Sequence, residues 1–309
     1  MRNTMEKDCN LRLDLTSTAL KGEDAPELVR RARALAAPHR ITIGIQLHNT
    51  AELPEVGRLA RLGAPLSFHA PVGGRFNMNF AAEDASLTFQ MADEQAELMR
   101  RFGADRAVFH GFIMTDLPVP AFGHGKSYDE CMKSVCRPEL VRHEGSRFVS
   151  DFTGTAEFLE RRERVKNNLK LLRARHPDIL WCVENDFPGY GSGDLRGRDL
   201  AYLEHPVCLD TGHLWAASKM LDLDFYREIE VMLASGNVKM VHFHASRYTF
   251  DMDYDEWGDG HLPLDYPTAM DLKWIAQACK KANVPHFVLE IAPETLRNVE
   301  RFIELYGGE

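Results

Sequence analysis

The sequence predicts an α/β protein, a (β/α)8 TIM barrel forming a single domain over residues 1–309, and three observations carry that expectation. Short apolar runs alternate with longer amphipathic stretches along the whole chain. There are eight such runs, each followed by a helix or by enough chain for a crossover, as a closed parallel sheet requires. Most of them end in a histidine or a carboxylate, the polarity expected at the catalytic rim of a barrel. A doubly wound sheet fits less well, because no glycine-rich phosphate loop follows the first strand. A length of 309 residues suits one large barrel or two modest domains. No repeat or low-complexity linker divides the chain, which favours the single barrel.

In chain order, the predicted strands are residues 11–15, 41–47, 65–69, 107–110, 179–184, 207–210, 238–244 and 286–290. Between them, helical spacing is legible over residues 25–37, 83–102, 156–175, 225–234, 268–281 and 294–305. In the third of these, Phe158, Leu159, Val165, Leu169 and Leu172 recur at roughly helical spacing, with charged residues filling the other face. Residues 115–151, after the fourth strand, break the rhythm: Pro118, Pro120, Gly123, Gly125, Pro138 and Gly145 interrupt any period. An insertion there overlies the barrel mouth, so it is read as a possible lid, with a decorative or oligomer-forming element as the alternative. Within it, His124, Lys126 and His143 are read as exposed, with substrate contact on closure the second option.

Composition removes several classes. Hydrophobic residues at 44% and charged residues at 27% exclude a disordered, collagenous or coiled-coil chain. No apolar run approaches the ~20 residues of a membrane helix. The opening MRNTMEKDCNLRLDL has no apolar signal core. A net charge of −9, from 37 basic and 46 acidic residues, argues against a broadly basic nucleic-acid surface. The six cysteines form no CxxC pair, and Cys182 and Cys208 fall within predicted strands, so a disulfide framework is not expected. Cys131 and Cys136 read as ordinary loop cysteines. Together these features predict a cytoplasmic protein with no membrane partner. No oligomer interface is legible, and a homo-oligomer is left open.

The chemistry sits at the strand ends. His69 closes LSFH, His110 closes AVFH, Glu184 closes WCVE, Asp210 closes VCLD, His244 closes VHFH and Glu290 closes FVLE. His213 follows Asp210 by three, and Asp259 and His261 lie in GDGH after the seventh strand. Two residues before each strand end stand Ser67, Val108, Cys182, Cys208, His242 and Val288, mostly groups suited to interior barrel layers. Five histidines and four carboxylates converging on one mouth need cations, because adjacent carboxylates repel unless counter-charged. Imidazole with carboxylate is a ligand set for Zn²⁺, Mn²⁺, Fe²⁺ or Co²⁺. His242 is expected to support the ligands through a buried hydrogen bond. His48, ending the second strand, is either a substrate contact or a plain polar strand end. Trp215 and Arg247 are further candidates for substrate binding.

The motifs LSFHAP, VFHG, VEND, CLDTGH, VHFHAS, GDGHLPL and VLEI, in this order, resemble the xylose-isomerase-like barrel superfamily, which includes endonuclease IV and many sugar isomerases and epimerases. The resemblance implies a metal site at the mouth, with one to three divalent ions, Zn or Mn. In the endonuclease IV branch, residues at all nine positions hold three zinc ions. In the mononuclear sugar branch, the positions of Glu184, Asp210, His244 and Glu290 hold one. The resemblance implies an isomerase or epimerase of a small sugar or sugar phosphate, with Glu184 and Glu290 as acid/base pair. The resemblance to ketose 3-epimerases also implies that His213 contacts a substrate oxygen, but two departures weaken it: Tyr190 replaces a glutamate, and Phe250 replaces an arginine. The alternative is phosphodiester hydrolysis at abasic DNA. Against it, His69 is followed by AlaProValGlyGly, with Val72 where the DNA-wedging tyrosine would stand. A third possibility is a non-catalytic metal-holding barrel whose pocket Phe76, Phe80, Tyr190, Trp215, Tyr248 and Trp257 would line.

Overall fold

Each of the eight apolar runs becomes a strand, and the strands pair in chain order into a closed parallel barrel. The computed structural model describes residues 11–123 and 125–308, so Cys9 and His124 lie outside the described residues. The strands are β1 (Leu11–Thr16), β2 (Ile41–Leu47), β3 (Leu66–Ala70), β4 (Arg106–Phe109), β5 (Leu180–Glu184), β6 (Val207–Asp210), β7 (Val238–His242) and β8 (His286–Leu289). Closure is made by β1 against β8, with Arg12 opposite His286 and Leu15 opposite Leu289.

The helices are α1 (Ala25–Ala36), α2 (Leu53–Ala60), α3 (Ser86–Phe102), α4 (Tyr128–Lys133), α5 (Ala156–Arg175), α6 (Gly197–Tyr202), α7 (Thr211–Met220), α8 (Phe225–Ala234), α9 (Leu272–Lys281) and α10 (Thr295–Gly307). In α5 the Thr155 side chain accepts the N–H of Phe158 as N-cap, and Phe158, Val165, Leu169 and Leu172 are buried. Leu159 does not join them; it is 44% exposed. Burying one such aliphatic or aromatic side chain stabilises the fold by roughly 1.5–3 kcal/mol. Among the described residues, no helix is long and apolar enough to cross a membrane.

The barrel interior is layered. A middle layer of Val108, Cys182, Cys208, Met240 and Val288 forms its own apolar cluster, as strand alternation predicts. Toward the strands' N-terminal ends the filling turns polar. Arg12 Nε donates to Asp14 Oδ1 at 2.6 Å, Ser67 Oγ donates to Asp14 Oδ2 at 2.5 Å, and His286 Nε2 lies 3.1 Å from the same oxygen. Gly44 makes this possible, since a Cβ there would lie 2.0 Å from Asp14 Oδ1. The middle layer thus separates a buried ionic plug from the opposite mouth.

The insertion is built, not structureless. It holds α4, opened by a Ser127–Glu130 capping box, a single 3-10 turn at Pro138–Leu140 and an antiparallel bridge between Val141 and Val149. Val119, Met132 and Val135 pack with Ile113 and Tyr190 into a small satellite core. Asp116 fastens its start to α5 through Arg161, at 2.7 Å. None of these pieces is long enough to leave a period in the sequence.

Candidate metal centre at the barrel mouth

Residues at or just beyond the strand ends deliver their side chains to one floor. From β3, His69 places Nε2 3.3 Å from Glu184 Oε2. Just past β4, His110 places Nε2 3.5 Å from the same oxygen, while its Nδ1 lies 2.5 Å from Asp186 Oδ1. A neighbouring carboxylate on the far ring nitrogen is how ligating histidines are commonly oriented. The other oxygen of Glu184, Oε1, turns to a different set. His242 Nδ1 lies 2.5 Å from it, 3.1 Å from Glu290 Oε2 and 3.5 Å from Asp210 Oδ2.

Asp210 is divided in the same way. Its Oδ1 caps α7 by accepting the N–H of His213 at 2.7 Å, leaving Oδ2 to face the histidines. Asn185 holds the Asp210 backbone on both sides, donating to its carbonyl at 2.9 Å and accepting its N–H at 2.7 Å. A third group stands beside these. His213 Nδ1 donates to the Asn185 carbonyl at 2.9 Å, and His261 Nδ1 donates to the Glu290 carbonyl at 2.9 Å. Both rings therefore turn Nε2 to Asp259 Oδ2, at 3.1 and 2.7 Å.

The candidate ligand groups overlap; among them are His69, His110 and Glu184; Glu184, Asp210, His242 and Glu290; and His213, Asp259 and His261, with His69 also meeting His242 and Glu290. Within each, one ligand atom per residue lies within 4.8 Å of the others. The donor set fits divalent metal ions. Neither carboxylate oxygen of Glu184 and neither ring nitrogen of His242 has a partner in hydrogen-bond geometry, although all four are buried. Orphaned buried polar atoms on facing acids and imidazoles are what a cation satisfies.

The electrostatics agree. Burial pushes the Glu184 carboxyl up, but the charges of His242 and His110 outweigh it and hold it well below the usual range. Asp210 and Asp259 are likewise held well below theirs against burial, by His213 with His244 and by His261 with His213. Burial opposes charge on His261, yet Asp259 and Glu290 raise it to about 10. The protein alone balances its acids with protons on histidine, and a divalent ion serves the same need.

The second group contains His242. The resemblance implies His244 there, in a seventh strand expected to reach it, but β7 ends at His242. His244 instead stacks on His261 at 4.4 Å, and its Nδ1 accepts the His261 N–H at 2.9 Å. Gly212 and Gly260 clasp it, since a Cβ on either would lie 2.2 Å from its Cε1 or 3.0 Å from its Nδ1. His244 Nε2 still reaches Asp210 Oδ2 at 3.4 Å, so it steadies that carboxylate. His242, expected as a support, is the ring among the acids.

A cavity of about 250 Å³ opens above this floor. His48, His69, His110, His213, Asp259, His261 and Glu290 reach it, whereas Glu184, Asp210 and His242 lie beneath. Phe122, Tyr128, Met132 and Arg147 from the insertion form its wall, with Phe187 and Asp186. The expected pocket aromatics are elsewhere: Trp215 is buried, donating Nε1–H to the Tyr248 carbonyl, and Phe80 packs on Phe109. Arg247 is exposed, leaning on Tyr248. Neither Trp215 nor Arg247 lines the cavity. His48 does. Its Nδ1 accepts the Thr50 N–H at 3.2 Å, which leaves Nε2 to carry the proton, 3.7 Å from Glu290 Oε1. Burial keeps this ring neutral, with its pKa lowered to about 4. Asn185, Asp186 and Arg147 were missed from sequence; only the polar END run continuing β5 signalled the first two.

No protein-family model and no curated protein sequence matches the chain. Solved structures do match in shape. A D-tagatose 3-epimerase-like protein aligns over 96% of this chain and 98% of its own at 11% identity, with a TM-score of 0.58. The TTHB071 protein of Thermus thermophilus, from a ZnCl2 soak, aligns over 97% and 99% at 17% identity, with a TM-score of 0.53. A fusion of a xylose isomerase-like TIM barrel with a 4-hydroxyphenylpyruvate dioxygenase aligns over 94% of this chain and 41% of its own, at 13% identity and a TM-score of 0.56. With the closed eight-stranded barrel, these likenesses give the chain the fold of the xylose isomerase-like TIM barrels.

Proposed function

We propose that the protein is a divalent-metal-dependent enzyme that isomerises or epimerises a small sugar-like substrate. The observation that carries this is the cavity: it has room for one small molecule, and its floor joins metal-type ligands to one reachable carboxylate of the shared ligand group, Glu290. Bound zinc or manganese would supply Lewis acidity to substrate oxygens. His69, His110, Glu184, Asp210, His213, His242, Asp259, His261 and Glu290 would hold such ions. Glu290 would take the carbon-bound proton; for isomerisation it would return it to the neighbouring carbon, whereas for epimerisation a second cavity-lining acid would deliver a proton to the opposite face. The protonated Nε2 of His48, neutral and beside Glu290, would donate a hydrogen bond to a substrate oxygen.

The two-glutamate acid/base pair is narrowed to one. Glu184 is fully buried beneath the cavity, with each oxygen turned to a different set of histidines, and is better suited to sharing between ions. That sharing, with the third group beside it, favours a second reading: hydrolysis of a small phosphoester on several ions. Duplex DNA suits the site poorly, because the insertion walls the mouth. The deciding experiment incubates metal-loaded protein with a panel of sugars and sugar phosphates in D2O. Deuterium entering a substrate C–H position supports the first reading. Phosphate release without exchange transfers the assignment to the second, and neither outcome on any substrate defeats both.

A further inference from the structure

Among the described residues the cavity is lined by one arginine and no lysine, and the reaction as proposed does not use that arginine. Arg147 belongs to the insertion and lines the cavity whose floor presents Asp186, Asp259 and Glu290. Among the described residues it forms no ion pair, for those acids pair with histidines. Its Nη2 donates to the carbonyl of Trp257, and its guanidinium lies over the rings of Phe148, at 4.9 Å, and Phe187, at 5.5 Å. Trp257 is itself buried and stacked on Tyr248 at 5.5 Å, so the tie is made to a fixed point. Phe187 in turn lies 6.0 Å from the ring of His213. The guanidinium is thus held one aromatic ring away from the ligand groups.

An arginine has five N–H donors in a planar fork, and one bond to a carbonyl leaves most of them free. Beside it, Asn77, Ser192 and Tyr128 bring further hydrogen-bonding groups to the same cavity. A neutral sugar would not need a positive charge at this place. A substrate with an anionic end would be oriented by it, reacting carbons toward Glu290 and anion toward the insertion.

We infer that Arg147 is a specificity-determining residue that recognises an anionic group, phosphate or carboxylate, at the end of the substrate remote from the metal ligands. This rests on the reading of the site as one for small sugar derivatives. Its test uses the metal-loaded full chain and isothermal titration calorimetry with three probes of one carbon skeleton: ribose, ribose 5-phosphate and ribonate. The expected result is that one anionic probe binds at least ~10-fold more tightly than ribose, about 1.4 kcal/mol, and that probe identifies the anion. Arg147→Gln keeps a donor for the Trp257 carbonyl but removes the charge, and is expected to erase this preference, read as the ratio of anionic-probe to ribose affinity. Arg147→Lys is expected to restore part of it.

Equal binding of ribose and both anions by the unaltered protein overturns the inference, as does failure of both anions to bind. A preference that survives in Arg147→Gln also overturns it, because the anion then sits on the metal ions. A loss for all three probes with a lowered melting temperature overturns it too, assigning Arg147 a purely structural role. Failure of the isomerase reading is seen separately, as absent deuterium exchange with the anion preference intact.

Discussion

Glu290 is the one carboxylate in the shared ligand group that also faces the cavity, so its removal separates chemistry from folding. Glu290→Gln preserves volume, and turnover is expected to fall by at least ~10²-fold, the usual scale for a positioned acid or base, with an unchanged circular dichroism spectrum. The two histidines at the end of β7 give a second comparison. His242→Gln leaves buried acids without their ring, whereas His244→Gln disturbs packing around Gly212 and Gly260. Bound zinc, measured by mass spectrometry, is expected to drop by at least one ion per chain in the first variant and to persist in the second. The reverse pattern would restore His244 as the ligand. At this scale the sequence placed polar candidates near the strand ends: Glu184 and Asp210 close β5 and β6, His69 is the last residue but one of β3, and Glu290 directly follows β8. The expected seventh strand ran to His244, but β7 ends two residues earlier, at His242.

Among the elements, legibility followed amphipathicity. The predicted α5 and α8 match to the residue, since each buries one face and exposes the other. The segment that became α7 left no period, because nearly every residue from Thr211 to Met220 is buried and polarity has no face to mark. Helices α2 and α6 were missed because they are short. The polar plug below the middle layer makes a prediction of its own. Gly44→Ala would drive a methyl group into Asp14 and part it from Arg12. Loss of one side of a buried ion pair costs roughly 3–5 kcal/mol, read as a lower urea midpoint at unchanged slope. The effect is expected even though the site lies at the other end of the barrel.

For the whole molecule, acid stability is set in part by histidines that bury without an acid beside them. His205 is fully buried and packs on Phe109 at 6.4 Å; burial, aided by the Arg173 charge, lowers its pKa to about 3. The unfolded chain therefore takes up a proton near its ordinary pKa of about 6.5 that the folded chain refuses. The stability from this group is complete above about pH 6.5 and declines as pH falls toward about 3, by at most ~1.4 kcal/mol per pH unit. His205→Phe is expected to lose less stability than the parent between about pH 7 and about pH 5 in urea denaturation. Metal removal acts on the same scale. Ions bound only by the folded state stabilise it by mass action, so chelation is expected to lower the melting temperature by roughly 5–10 °C, reversibly with zinc or manganese.

The barrel was legible over the whole chain, but the shape of the cavity was not. Its wall is made by Phe122, Tyr128, Met132 and Arg147, which lie in short turns held by local caps and bridges. Such pieces acquire their position only from what they dock against.

Glu184 has one further consequence. Because its two oxygens face two candidate ligand groups, ions bound there would not be independent: one on either side would fix the carboxylate for the other. The group of His213, Asp259 and His261 shares no residue with them. A chelator titration is then expected to empty the centre in two stages, one ion leaving alone and two leaving together. Loading in the opposite direction would be sigmoidal for that pair. If the proposed turnover depends on that pair, its activation by added metal is expected to be steep rather than hyperbolic.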